Sequence, residues 1–201
     1  MLITFEGIDG SGKSTQIALL KEQLSNNGIT VQVFREPGGT DLSEQIRELL
    51  LNPENEIDSV TELLLFSSAR SKLMAEQVLP AINRSEVVIL DRFYDSTTAY
   101  QGYGRGSLPL DQIQQINNVA SHGRAPYFTF YLRLSFEESN KRRAHLSKDR
   151  MEQAGEVFFK KVIQGFDKLA EKESRFVVID ASQSVEEIHD HIKDTLSGHI
   201  F

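Results

Sequence analysis

The stretch GIDGSGKST, residues 7–15, constrains the fold of this chain more than any other feature. Its spacing matches G-x-x-x-x-G-K-[S/T], a loop whose backbone amides surround a chain of phosphates. The apolar run Leu2–Phe5 precedes it, and apolar residues recur at helical spacing after it, at Ile17, Leu20 and Leu24. We therefore expect a buried strand, the loop, and a helix that begins near Lys13 and ends near Asn26-Asn27-Gly28.

Each part of this loop has a predicted task in binding a phosphate donor. The glycines let successive N–H groups turn inward, and the helix N-terminus adds partial positive charge. Lys13 would reach the β- and γ-phosphates, and the Ser14 hydroxyl would bind Mg²⁺, an ion that takes few protein ligands. The predicted donor-binding residues of the loop are Gly7, Ile8, Asp9, Gly10, Ser11, Gly12, Lys13, Ser14 and Thr15. A glycine-rich turn without a ligand is the alternative interpretation.

Four more short apolar runs follow the first one, with helical patterns between them. They lie at Val31–Phe34, Val87–Leu90, Phe128–Leu132 and Phe176–Ile179. Nearly continuous apolar runs are typical of parallel strands that helices cover on both faces. The 201 residues suffice for one such α/β domain, so we expect a single three-layer domain, 1–201, in which any second unit is an inserted lid.

Composition excludes some function classes. The net charge of −7 argues against a nucleic-acid-binding surface, which usually carries a basic excess. The sequence contains no cysteine, no apolar run near the ~20 residues of a membrane span, and no charged-then-apolar segment at its start. A soluble cytoplasmic protein without a membrane partner is the simplest expectation, although a lack of cysteine is compatible with any compartment.

Asp91 directly follows the third apolar run, Val87–Leu90, at the position where a P-loop protein holds its magnesium ion through a carboxylate. A structural cap is the alternative. Arg92 follows at once and would place a guanidinium beside the γ-phosphate, where it can grip a second anion with two hydrogen bonds. This arrangement favours an anionic phosphoryl acceptor over water. The Asn-Lys-x-Asp motif of guanine-specific proteins is absent.

A site for a nucleobase is proposed from residue types. Phe66 and Arg70 are four residues apart in the helical stretch Thr61–Gln77, so they share a face, and an aromatic plane beside a planar cation suits a flat base. The alternative is ordinary packing, with Phe66 in the core and Arg70 in solvent. Gln101 has both a donor and an acceptor, the pairing that a pyrimidine edge requires.

Five motifs in order give the chain a specific resemblance. They are FEGIDGSGKST, FREPGGT, LLLFSSAR, DRFYDSTTAYQG and KDRMEQAGEVFFKKVIQGFDKLA. Together they resemble the bacterial thymidylate kinase family, in register from residue 2 to about 180. The resemblance implies the reaction ATP + dTMP → ADP + dTDP with Mg²⁺, on a nucleoside-monophosphate-kinase-like fold with sheet order 2-3-1-4-5 and a mobile lid.

The resemblance also implies roles for residues at matching positions. Phe66 would lie on the thymine ring and Arg70 on its O4, while Thr97 and Gln101 fall where the family reads the other polar atoms of the pyrimidine. Arg92, assisted by Arg47, would hold the acceptor phosphate, and Tyr100 would lie against the deoxyribose and disfavour a 2′-hydroxyl. Glu36 would project into the site beside Tyr100, and a cis bond to Pro37 is a further expectation. Asp9 would reach toward the 3′-hydroxyl and the magnesium shell; the alternative is that it caps the turn locally.

The segment NKRRAHLSKDR, residues 140–150, lies at the family's lid position within a lid of about 140–155. Its cations are Lys141, Arg142, Arg143, Lys148 and Arg150. Because the P-loop itself contains no arginine, we expect Arg143 to bridge the donor phosphates on lid closure and to count among the catalytic residues with Lys13, Arg92 and Asp9. Arg150 is expected to pair with Asp149 or Glu152. A solvated helix face is the alternative.

Other functions stay open at this point. Another P-loop kinase would prefer thymidine or dCMP over dTMP, and a regulatory nucleotide-binding module would bind ATP without turnover. The resemblance further implies a homodimer, with Leu63–Leu65 and the helix at Gln112–Val119 as candidate contacts, although core packing explains those leucines equally well.

Overall fold

The computed structural model describes residues 1–145 and 149–200. Its central sheet is five-stranded and parallel throughout, in the order β2-β3-β1-β4-β5. The strands are β1 (Leu2–Glu6), β2 (Val31–Arg35), β3 (Val87–Asp91), β4 (Phe128–Arg133) and β5 (Phe176–Asp180). Each strand contains one of the predicted apolar runs, and the predicted order 2-3-1-4-5 is confirmed.

Helices flank this sheet. They are α1 (Lys13–Asn26), α2 (Asp41–Leu51), α3 (Ser59–Leu73), α4 (Leu79–Asn83), α5 (Tyr94–Thr97), α6 (Leu110–Ala120), α7 (Phe136–Arg142), α8 (Glu156–Lys172) and α9 (Val185–Leu196). The predicted limits of the first helix are confirmed at both ends. Met74–Val78 and Thr98–Gly104 are π-helical, so the predicted helical stretch Thr61–Gln77 is α-helical only as far as Leu73.

The central strands are buried because helices pack on both faces of the sheet. Residues of β1 are 5% exposed or less, and the aromatic rings of Phe5 and Phe130 lie 5.3 Å apart on adjacent strands. The register Phe5↔Asp91 aligns the carboxyl ends of β1 and β3. Polar groups that follow these two strands therefore meet at one edge of the sheet.

No helix of the described chain has the length and apolar character that a bilayer crossing demands.

Candidate active site

The P-loop connects β1 to α1 and leaves the helix N-terminus open for an anion. Gly7, Gly10 and Gly12 have φ angles of 134°, 78° and 94°, a region that side chains with a Cβ rarely adopt. Gly12 caps α1 without a side-chain hydrogen bond to the first turn. Among the described residues, no acceptor is bonded to the N–H groups of Lys13, Ser14 and Thr15, so these groups can bind a phosphate. Ile8 is 1% exposed and belongs to the core, so only its backbone can contact a ligand there.

Lys13 lies folded over this loop. Its Nζ donates to the carbonyl oxygens of Gly7 and Ile8, at 3.1 and 3.2 Å. Burial lowers the pKa of Lys13, and the nearby Arg92 adds to that effect. A polyphosphate would offer this ammonium group a stronger, charged acceptor than the two carbonyls.

Ser14 and Asp91 lie side by side at the carboxyl edge of the sheet. The Ser14 hydroxyl donates to Asp91 Oδ2 at 3.2 Å, although the two residues are 77 positions apart. A hydroxyl and a carboxylate next to a phosphate loop are hard oxygen donors, the kind that Mg²⁺ prefers. The residues present therefore fit the predicted magnesium site.

A cavity opens next to the P-loop. Its walls include every residue that sequence analysis proposed for the acceptor nucleotide. These are Asp9, Glu36, Arg47, Phe66, Arg70, Arg92, Thr97, Tyr100 and Gln101. A second cavity follows the P-loop from Asp9 to Thr15 and reaches Asp91. The two share Asp9, Glu36, Arg47 and Arg92, so the predicted donor and acceptor sites meet at these four side chains.

Arg70 lies inside the acceptor cavity, contrary to the packing interpretation, which placed it in solvent. It is 2% exposed, and its Nε donates to Glu36 Oε2 at 2.7 Å. It also donates to Thr97 at 3.0 Å and Asn117 at 3.4 Å. Burial raises the pKa of Glu36, and the charge of Arg70 opposes that rise. The cavity is thus lined by a buried, hydrogen-bonded ion pair.

The loop that carries Glu36 has the expected backbone conformation. The bond between Glu36 and Pro37 is cis, as predicted. Arg47 of α2 donates to the Pro37 carbonyl at 3.0 Å, which holds this loop against the helix. Glu36 and Arg47 consequently reach the boundary between the two cavities.

Asp9 faces Arg92 across this boundary. Arg92 has a φ angle of 71°, a left-handed conformation that is uncommon for a residue with a Cβ, and it donates to Asp9 Oδ1 at 2.8 Å. Burial by itself would raise the pKa of Asp9, but Arg92 and Lys13 outweigh it and hold that pKa well below its usual range. Asp9 is therefore a charged partner of Arg92, and the local turn-capping alternative is not needed to explain its position.

The predicted lid segment, 140–155, begins within the last turn of α7. Arg143 lies over the P-loop: a Cβ on Gly10 would be 3.2 Å from its Cγ, and the Arg143 guanidinium pairs with Glu152. Arg142 donates to the carbonyl of Gly10 at 3.2 Å and to that of Ala181 at 2.9 Å. Lys148 lies outside the described residues. The expected pairing of Arg150 is wrong, because Arg150 pairs at 2.7 Å with Glu62 of α3.

Sequence reasoning missed three buried polar residues around the site. Glu6 accepts from the Phe93 amide at 2.8 Å and from the Ser96 hydroxyl, and burial together with the charge of Asp95 raises the pKa of Glu6 to about 8. Glu62 is 1% exposed and bonds Gln101, while Asn117 bonds Arg70. Two signals were available: Glu6 directly follows the apolar run of β1 in FEGIDG, and Glu62 directly precedes three leucines in TELLLF.

A parallel sheet of this order, a P-loop with its lysine, and an aligned Ser14–Asp91 pair beside a second cavity lined by aromatic and charged side chains define a P-loop phosphotransferase of the nucleoside-monophosphate-kinase class. A family model described as thymidylate kinase matches residues 5–192. The chain belongs to the thymidylate kinase family.

Individual relatives agree with this assignment. The chain is 50% identical to the thymidylate kinase of Chlorobaculum parvum, over 98% of this chain and 96% of that protein. It is 43% identical to the thymidylate kinase of Thermoanaerobacter sp., over 98% of both chains. Among solved structures, thymidylate kinase from Ehrlichia chaffeensis superposes with a TM-score of 0.79 at 36% identity, covering 98% of each chain.

Proposed function

We propose that this protein transfers the γ-phosphoryl group of ATP to dTMP, giving dTDP and ADP. The observation that carries the proposal is the meeting of two cavities at Asp9, Glu36, Arg47 and Arg92, with the P-loop on one side. Phosphoryl transfer requires the donor and acceptor groups to be held in line and close together. Membership of the thymidylate kinase family supports the choice of acceptor.

ATP binds along the P-loop in this proposal. The free N–H groups at the start of α1 hold its phosphates, and Lys13 leaves its two carbonyl partners to neutralise the β- and γ-phosphates. Ser14 and Asp91 would hold Mg²⁺, and the chemistry that this ion would supply is neutralisation of charge on the phosphate oxygens. Arg143, positioned over Gly10, supplies a further cation from the lid.

dTMP occupies the second cavity. Phe66 stacks on the thymine, Arg70 donates to its O4, and Thr97 and Gln101 bind the remaining polar atoms of the ring. Tyr100 lies against the sugar, and its ring centroid is 5.1 Å from the guanidinium carbon of Arg92, so the side chains assigned to the sugar and to the phosphate are in contact.

Arg92 and Arg47 hold the acceptor phosphate, so that one of its oxygens faces the γ-phosphorus. Asp9 accepts from Arg92 and from the 3′-hydroxyl of the sugar, which fixes the acceptor relative to the P-loop. The charge that develops on the transferred group is met by Lys13, Arg92 and Arg143, and this electrostatic complement is the main contribution that the protein makes to the rate.

Two further properties belong to the proposal. We infer a homodimer, supported by apolar side chains at the surface of α3 and α6: Leu64 is 49% exposed and Val119 75%. Leu63, by contrast, is fully buried in its own chain. We infer a cytoplasmic location because the reaction consumes ATP. The 140–155 segment acts as the lid of a single domain, 1–201.

The activity is tested by ADP release, coupled to an indicator reaction, with dTMP, dUMP, thymidine, dCMP and dGMP as acceptors. We expect dTMP to give the highest kcat/KM and EDTA to abolish turnover. A higher kcat/KM for thymidine or dCMP would assign the chain to another P-loop kinase, and ATP binding without turnover of any acceptor would contradict the proposal. Lys13→Ala serves as the inactive control.

A further inference from the structure

Gln101 has one polar atom committed before any nucleotide enters the acceptor cavity. Its amide nitrogen donates to Glu62 Oε1 at 2.9 Å, and the residue is only 2% exposed. The nitrogen and oxygen of a primary amide point in different directions. Bonding the nitrogen to Glu62 therefore leaves the carbonyl oxygen for a ligand in the cavity that Gln101 lines.

Glu62 imposes this orientation by its chemistry. Arg105 donates to its two oxygens at 3.3 and 3.4 Å, and Arg150 pairs with Oε2 at 2.7 Å. Donors on both oxygens make the carboxylate an acceptor only. If the Gln101 amide rotated by half a turn, its carbonyl oxygen would face a carboxylate oxygen, and a buried polar contact would become repulsive.

The position of Glu62 on α3 links it to the rest of the acceptor site. Glu62, Phe66 and Arg70 follow each other at intervals of four residues, so they lie on one face of the helix. Glu62 is 1% exposed and Arg70 2%. The same helix face therefore presents an aromatic ring, a guanidinium and the carboxylate that orients Gln101.

We propose that Glu62 is a positioning residue that sets base specificity by fixing Gln101 as a hydrogen-bond acceptor. This inference rests on the proposed function. Thymine and uracil carry a hydrogen on N3, which the Gln101 oxygen accepts, whereas N3 of cytosine is itself an acceptor and meets that oxygen unfavourably. The discrimination is thus built from an unfavourable contact as well as a favourable one.

The test compares dTMP with dCMP in the full-length wild type and in Glu62→Gln, by steady-state kinetics and by calorimetric binding. A glutamine at 62 can donate through its own amide, so Gln101 gains access to both orientations. We expect the dTMP:dCMP ratio of kcat/KM to fall about tenfold or more, chiefly through a higher KM for dTMP. The KM for ATP stays unchanged. A ratio within about threefold of wild type would overturn the inference.

A double-mutant cycle separates this role from a merely structural one. Gln101→Ala removes the amide that contacts the base. The double variant Glu62→Gln/Gln101→Ala must therefore have the same dTMP:dCMP ratio of kcat/KM as Gln101→Ala alone. A further fall in the double variant would show that Glu62 acts through another group, which contradicts the inference. Glu86→Gln is the matched control. It also replaces a glutamate that pairs with an arginine, Arg84, but it lies at the amino end of β3, and the site lies at the carboxyl end.

Glu62→Asp keeps the proposal testable if Glu62→Gln is too unstable to assay. An aspartate is still an acceptor only, so the dTMP:dCMP ratio must stay within about threefold of wild type even where kcat falls. Collapse of the ratio in this variant would overturn the inference. If the wild type binds dTMP more tightly than dCMP but phosphorylates neither, the proposed function is wrong. The inference can still be tested in that case, because the effect of Glu62→Gln on the binding preference decides it. Equal binding of both nucleotides by the wild type contradicts the inference directly.

Discussion

The guanidinium of Arg92 donates to the carboxylate of Asp9 at 2.8 Å and thereby joins the end of β3 to the P-loop across 83 positions of sequence. Both side chains border the donor cavity and the acceptor cavity. In the proposed function this pair gives the acid of the P-loop a task, because its carboxylate holds Arg92 beside the acceptor cavity.

Replacing Asp9 is expected to damage the acceptor side. Asp9→Ala should raise the KM for dTMP or lower kcat by tenfold or more, because a charge-assisted hydrogen bond contributes about 1.5–3 kcal/mol. The KM for ATP should change by no more than about twofold. Asp9→Asn keeps an oxygen acceptor for Arg92, so its kcat and its KM for dTMP should lie between those of the wild type and those of Asp9→Ala. Steady-state kinetics with each substrate varied in turn gives kcat and both KM values. A selective loss of ATP binding would instead support the alternative that Asp9 caps the P-loop turn.

Arg143 is the predicted cationic side chain of the lid. Arg143→Ala should lower kcat at least tenfold with the KM for dTMP unchanged, since the aliphatic part of its side chain lies over Gly10 and its guanidinium pairs with Glu152 rather than with a residue of the acceptor pocket. Lys160→Ala, at a half-exposed lysine of α8, is the control for loss of one positive charge. A fall in kcat below about threefold would remove Arg143 from the catalytic group.

The buried pair of Arg70 and Glu36 should matter for stability as well as for binding. Its side chains are 2% and 4% exposed, whereas those of the Arg35–Glu44 pair are 49% and 40% exposed. Removing one partner of a buried pair costs about 3–5 kcal/mol, and of a surface pair about 1 kcal/mol or less. Arg70→Met should therefore lower the free energy of unfolding far more than Arg35→Met in urea titrations. Equal losses would contradict the burial of the first pair.

Glu6 should make stability depend on pH. Its pKa is about 8 in the folded chain, above the ordinary value of 4.5, so the folded state binds the proton more tightly than the unfolded state. This contribution is complete below about pH 4.5 and is lost as the pH rises through about 8. Relative to Glu6→Gln, the wild type should lose stability across that interval. If the free energy of unfolding depends on pH in the same way in both proteins, the prediction that Glu6 titrates in this interval is wrong.

The inferred homodimer has its own test. Leu64→Glu and Val119→Glu should each weaken association, because they place a charge on the apolar surface of α3 and α6. Val157→Glu alters an equally exposed side chain of α8 and should leave the oligomeric state unchanged. Light scattering after gel filtration reports the mass. A monomeric wild type, or a dimer that all three variants retain, would contradict the inferred interface.

Local patterns in the sequence were sufficient for the sheet and the donor loop. The runs that became β1 to β5 are apolar because both faces of a parallel sheet are covered, and the P-loop glycines, Lys13 and Ser14 are fixed within nine consecutive residues. The roles of Arg70 and Phe66 were harder to predict, because a spacing of four residues does not distinguish a helix face that packs in the core from one that lines a pocket. The five-motif resemblance to a known family supplied what spacing could not.

The chain by itself determined which elements form and which residue types face a phosphate. Tertiary structure alone decided which distant charges meet: Asp9 with Arg92, Arg70 with Glu36, and Arg150 with Glu62 instead of its neighbours in sequence. The physical reason is that hydrophobic periodicity records burial along one element at a time. The partner of a buried charge, by contrast, depends on how separate elements pack, and a buried charge pairs with whatever opposite charge that packing brings within hydrogen-bonding distance.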